Sequence, residues 1–101
     1  MGSRIELQFI LQGILGSSNV YFQPPESINI NYPAIIYELS DIETSHANNK
    51  VYRKIRKYSV TVIEKHPDSV LVDKLLELPM CEFNRHFETD NLNHNVFNLY
   101  F

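Results

Sequence analysis

The sequence has few of several residues on which particular protein classes depend. Its single cysteine, Cys81, excludes an intramolecular disulfide and fits a reducing compartment. Its three glycines are too few to build a glycine-rich loop that cradles phosphates. No apolar run approaches the ~18 residues that span a bilayer, so no membrane partner is expected. The chain also starts without the basic and apolar stretches of a secretion signal, which predicts folding in the cytoplasm.

The composition is that of one ordinary folded domain. The chain has 101 residues, of which 44% are hydrophobic and 21% are charged. A domain of this size buries only about 60–65% of the surface of its unfolded chain, so we expect modest stability for an isolated subunit. The net charge of −3 argues against a dedicated nucleic-acid binder, although it leaves room for a local basic patch.

Two segments have the three- and four-residue apolar spacing of amphipathic helices. The first is predicted over about Arg4 to Leu15, with Ser3 and Glu6 as a capping box and Gly16 as a left-handed cap. Its apolar stripe consists of Leu7, Ile10, Leu11, Ile14 and Leu15. The second helix is predicted between the start signal Pro67-Asp68-Ser69 and Pro79. Its apolar positions are Leu71, Val72, Leu75, Leu76 and Leu78.

The remaining apolar segments alternate or are rich in β-branched and aromatic residues, which predicts strands. These strands are expected at 19–23, 34–39, 51–65, 81–88 and 96–101, with turns at Asn48–Asn49 and over Thr89–Asn93. The second and third form one long hairpin from Ile35 to Glu64. The predicted fold is therefore α+β, in the order α-β-β-β-α-β-β. It has a mainly antiparallel sheet of about five strands, two helices on one face and a long protruding β-hairpin.

No residue set in the sequence makes a convincing catalytic, cofactor or metal site. Cys81, His86 and His94 do not have the paired short spacings of zinc ligands. Ser69, Asp68 and His66 lie together, but helix capping accounts for the serine and the aspartate. We therefore predict no enzyme activity, no catalytic residue and no cofactor.

Charged residues are concentrated at the outer end of the long hairpin. A basic cluster on the second strand of this hairpin faces an acidic stretch on its first strand. The charged residues involved are Asp41, Glu43, Lys50, Arg53, Lys54, Arg56 and Lys57. Strand alternation puts Arg53 and Lys57 on one face and Lys54 and Arg56 on the other. Two interpretations stay open: a solvated arm protected from aggregation, or a contact for an acidic neighbour or for phosphates.

Three parts of the chain resemble small proteins from the tail-and-neck region of tailed bacteriophages. These are 20–25 with 32–37, then 58–65 with 67–69, and then 91–94, which read VYFQPP, YPAIIY, YSVTVIEK, PDS and NLNH. The resemblance extends over residues 19–101. The order of elements is also similar to that of the tail-terminator and tail-completion proteins, which have a helix-covered sheet and a long hairpin.

This resemblance implies a structural virion protein that forms a homo-oligomeric, hexameric ring. The ring would cap the tail tube protein, offer a docking surface to the head-tail connector or adaptor protein, and be assembled in the host cytoplasm. In such a ring the arm, roughly Asp41 to Lys57, is the candidate for reaching the adjacent subunit, with DNA in the lumen as the alternative contact. A head-completion or connector ring of the neck is the nearest alternative. A small enzyme or ligand-binding domain is the alternative from another class.

Overall fold

The computed structural model describes residues 4–25, 29–47, 50–65 and 70–101, with residues 43, 45–47 and 50–54 described by their backbone alone. The elements follow the predicted order. They are α1 (Arg4–Leu15), β1 (Val20–Phe22), β2 (Ala34–Ala47), β3 (Lys50–Glu64), α2 (Val70–Leu76), β4 (Cys81–Thr89) and β5 (Leu92–Tyr100). The α+β class, the helix-covered sheet and the long hairpin are therefore confirmed. The predicted capping residues Ser3, Asp68 and Ser69 and the turn Asn48–Asn49 lie outside the described residues.

The strands form one mixed sheet in the order β1-β2-β3-β5-β4. β1 is parallel to β2, and the other three pairs are antiparallel. β1 lies at an edge and is followed by Pro24 and Pro25, which cannot donate to a ladder. β2 is a central strand, because it pairs with β1 on one side and β3 on the other.

Both helices cover the same face of the sheet. Leu7 and Leu11 of α1 and Leu71 and Leu75 of α2 are buried in one apolar cluster with side chains from four strands. The strand members are Val20, Ile35, Tyr37, Tyr58, Val60, Val62, Phe97 and Leu99. The alternation of Tyr58, Val60 and Val62, as the sequence predicts, is what brings three consecutive inward positions of β3 into this core.

A small polar network fixes α1 to the sheet. The Tyr37 hydroxyl donates to Gln8 Oε1 and accepts from Arg4 Nη1 at 3.4 Å. Gln8 Nε2 in turn donates to the carbonyl of Val20 at 2.9 Å. The Arg4 guanidinium also lies over the Phe22 ring, 4.6 Å from its centroid. These contacts set the position of the helix along the strands, which apolar packing alone specifies weakly.

Two details of the predicted β4–β5 hairpin are wrong. The last strand begins at Leu92 instead of Val96, because Asp90 and Asn91 both adopt positive φ and turn the chain within two residues. Strict alternation from Cys81 predicts Phe83 and Phe87 on one face of β4. A register shift between Phe83 and Arg85 puts them on opposite faces: Phe83 packs edge-on against Phe97, and Phe87 stacks on His94.

Candidate functional site

The outer half of the β2–β3 hairpin extends beyond the rest of the sheet. β1 pairs with β2 only as far as Tyr37, and β5 pairs with β3 only from Lys57 onward. Beyond these points residues 41–56, the predicted arm without Lys57 at its base, pair within the hairpin and with no other described strand. We call this segment the arm. Seven residues of strand at about 3.3 Å each make the arm on the order of 20 Å long. The molecule measures 51 × 28 × 23 Å.

The arm starts at a β-bulge. The register shifts between Leu39 and Asp41, which leaves Ser40 as an extra residue, and the Ser40 hydroxyl donates to the carbonyl of Lys57 at 3.2 Å. The backbone N–H of Leu39 donates to Gln23 Oε1 at 3.3 Å. A bulge increases the local twist of the bulged strand. The sheet body therefore holds the base of the arm, and the bulge sets the direction in which the arm leaves.

The described charged residues at the base of the arm make local contacts. Asp41 lies opposite Lys57 in the ladder, where its carboxylate could neutralise part of the basic cluster. The Asp41 carboxylate, however, accepts from the N–H of Ile42 at 2.8 Å, and the Lys57 ammonium lies 5.9 Å from the centroid of the Tyr100 ring. Arg56 is exposed, and its carbonyl accepts from the N–H of Phe101 at 2.9 Å.

The other predicted charged residues of the arm are described by their backbone alone. In the ladder Glu43 lies opposite Ile55, Lys54 opposite Thr44, Arg53 opposite Ser45 and Lys50 opposite Ala47. The register thus brings the acidic and basic stretches onto paired strands. The predicted division of Arg53 and Lys54 between two faces, and their partners, stay predictions.

Apolar side chains are exposed at the arm and also on the helices. On the arm and its base Ile42 and Leu39 are exposed, and on α1 Phe9 is 66% exposed and Ile5 57% exposed. The apolar stripe predicted for α1 leaves out this pair, although its four-residue spacing puts both residues on one helix face. Large exposed apolar side chains grouped on one surface are typical of contact with another molecule.

The residues considered for metal binding do not meet. Cys81 pairs with Leu99 at one end of β4, and His86 lies five residues further along the same strand, where its Nδ1 is 2.8 Å from Asn95 Oδ1. His94 stacks on Phe87 on the opposite face, with ring centroids 4.6 Å apart. Within the described ranges, no three metal-binding side chains are clustered. His66, Asp68 and Ser69, the other candidate cluster, lie outside the described residues.

Two described groups have clearly shifted pKa values, and burial is the main cause for both. Burial, with a smaller contribution from the nearby Glu82 carboxylate, raises the pKa of the Cys81 thiol to about 11. Burial also raises the pKa of Tyr37, against the opposing effect of its hydrogen bond from Arg4. A thiol with a raised pKa is a poor nucleophile at neutral pH, and the Tyr37 hydroxyl is already engaged in fixing α1.

A scan against protein-family models finds no match to this chain, and a sequence search of curated proteins finds none either. Neither α1 nor α2, the helices of the described ranges, has the length and apolar character of a membrane-crossing helix.

Proposed function

We propose that this chain is a structural subunit of a closed homo-oligomeric ring, and specifically the tail terminator of a tailed bacteriophage. The observation that supports this best is the arm, which leaves the sheet body and pairs with no described strand outside its own hairpin. An isolated two-stranded ribbon is at best marginally stable in water. A ribbon of this length is therefore expected to gain order and stability from a surface that its own domain does not supply.

The chemistry of the arm favours a protein partner over a purely solvated role. Ile42 is 44% exposed, and the strand backbones on both sides of the ribbon have hydrogen-bonding groups that point away from the ladder. An adjacent subunit can cover the apolar side chain and pair with an open strand edge. A head-to-tail contact of this kind closes into a ring when its rotation allows. The ring must have two different ends, so that one end binds the tail tube and the other refuses further tube subunits.

In the proposed ring the basic cluster can lie on either of two surfaces. It can meet carboxylates of the neighbouring subunit, or it can line the lumen and meet DNA phosphates. The exposed position of Arg56 at the arm base is compatible with both. A head-completion or connector ring would use the same arm in the same way, and the axial position of the ring in a virion distinguishes it from a terminator.

The oligomeric state of the purified chain tests the proposal. Native mass spectrometry and negative-stain imaging are expected to give a ring of about six copies, while a monomer at every concentration would contradict it. Reversing charge in the arm with Arg56→Glu is expected to weaken ring formation and leave the monomer folded. Lys74→Glu, on the exposed surface of α2, is the matched control and should assemble like the unmodified chain. Equal assembly of both variants would remove the arm from the proposal.

A further inference from the structure

The inner end of β3 holds a glutamate with a buried carboxylate oxygen that has no partner among the described residues. Glu64 is 8% exposed, and its Oε1 has no hydrogen-bond donor in the described part of the chain. The buried amide beside it is already engaged. Asn93 lies opposite Glu64 in the ladder, and its Nδ2 donates to the carbonyl of Lys65 at 3.2 Å. An ionised carboxylate taken out of water is costly unless a donor or a cation meets it.

A small cavity opens beside this carboxylate. Its volume is about 190 Å³, and it is lined by Tyr32, Pro33, Glu64 and Lys65. This is enough room for the head group of one side chain, and it is small for an ordinary ligand pocket of about 300–1,000 Å³. The group that fits both the volume and the charge is an ammonium or a guanidinium, which supplies positive charge together with N–H donors.

The basic cluster of the arm cannot reach this cavity within its own chain. The nearest cation of the cluster, Lys57, and Glu64 are seven residues apart on the same strand, which corresponds to about 23 Å at 3.3 Å per residue. That distance is several times the reach of an arginine side chain. Cations further out on the arm are more distant still. Only the arm of another molecule can place its cations at Glu64.

We propose that the Glu64 cavity receives a basic side chain from the arm of a second copy of this chain. This inference rests on the proposed ring and specifies its contact. The donor and the acceptor lie at opposite ends of β3, so the contact is head-to-tail and directional. Charge complementarity identifies the occupant, because the arm carries the basic cluster and the cavity carries the unpaired carboxylate.

The first test uses the conservative variant Glu64→Gln, which keeps the volume and removes the charge. The variant is expected to fold like the unmodified chain by circular dichroism and to associate at least about thirtyfold more weakly, because one member of a buried ion pair has been removed. Association is measured by sedimentation velocity over a concentration series. Undiminished association by Glu64→Gln overturns the proposal.

The second test mixes two defective chains. One carries Glu64→Gln with an intact arm. The other has an intact cavity and carries Arg53→Glu, Lys54→Glu and Arg56→Glu in the arm and Lys57→Glu at its base. Each is expected to be monomeric alone, and the equimolar mixture is expected to give 1:1 heterodimers, since one native contact is left between them. A mixture that stays monomeric overturns the proposal.

The third test concerns the nearest cation of the same chain. Lys65 lines the cavity, so Lys65→Gln removes a like charge from the receiving site and is expected to leave the fold unchanged and to strengthen association. If it destabilises the fold, Lys65 is the partner of Glu64 and the proposal fails. The outcomes also distinguish failure of the Glu64 contact from failure of the proposed ring. Rings that form despite Glu64→Gln overturn this contact and leave the ring standing, whereas an unmodified chain that is monomeric throughout overturns both.

Discussion

Replacing the outer arm by a tight turn tests whether the arm contributes to the fold of its own domain. The change joins Ile42 to Arg56 through Asn-Gly and removes residues 43–55. Ile42 and Arg56 are paired in the ladder, and Asn-Gly is the favoured sequence for a two-residue hairpin turn. The design keeps the bond from Phe101 to the Arg56 carbonyl and the contact between Lys57 and Tyr100.

The expected change in the free energy of unfolding is small. The removed segment contributes no residue to the described buried core, so no large burial term is lost. Shortening a flexible connection from thirteen residues to two would favour the folded state by about 1.7 kcal/mol through loop closure. The ladder that is lost offsets part of this gain, since an isolated ribbon is marginally stable. We expect a result between no change and about 2 kcal/mol of stabilisation.

Urea unfolding followed by far-UV circular dichroism measures this quantity, and sedimentation velocity measures assembly on the same samples. The shortened chain is expected to unfold with an unchanged or higher midpoint and to be monomeric. Destabilisation by more than about 3 kcal/mol, the free-energy cost of truncating a core side chain, would refute the reasoning. The arm would then have to pack on its own domain.

Three further predictions concern the domain itself. Phe97→Ala should lower the free energy of unfolding by about 3–5 kcal/mol, while Phe9→Ala on the exposed face of α1 should change it by less than about 0.5 kcal/mol; equal effects in urea unfolding would contradict the assigned core. Tyr37→Phe should cost about 1–1.5 kcal/mol because Gln8 Oε1 loses its donor, and an unchanged urea midpoint would contradict the network. Because burial raises the pKa of the Cys81 thiol from 9.0 to about 11, the thiol's contribution to stability is complete below pH 9 and is lost as the pH rises toward 11. Cys81→Ala should therefore reduce the loss of stability between pH 8 and pH 10.5, and identical pH profiles would contradict the assigned burial.

The order of elements was predictable because each strong local signal agrees with the final fold. The helix from Arg4 to Leu15 was predicted at its observed bounds, since its apolar spacing and Gly16 give the same end, and Gly16 adopts the expected positive φ of 79°. The errors arose where one residue changes the register. Alternation along β4 cannot reveal a bulge at Asn84, and the polar stretch Leu92–Asn95 hides a strand whose inward amides are buried.

The candidate site was predictable only in part. The charge of the arm is visible in the sequence, and its protrusion follows from the mismatch between a long hairpin and short neighbours. The buried position of Glu64 was not predictable, because a glutamate at the end of a strand is normally solvated. Tyr32 and Pro33, which line the cavity beside Glu64, come from a distant part of the sequence.

Hydrogen exchange of the arm at low and high protein concentration tests the central claim most directly. At concentrations where the chain is monomeric, the outward-facing amides of residues 41–47 and 50–56 are expected to exchange rapidly. At concentrations where it assembles, the same amides should become protected, while those of the β3–β5 ladder stay protected throughout. An arm whose amides are fully protected in the monomer, or equally unprotected at every concentration, would contradict the account that another copy of the chain covers it.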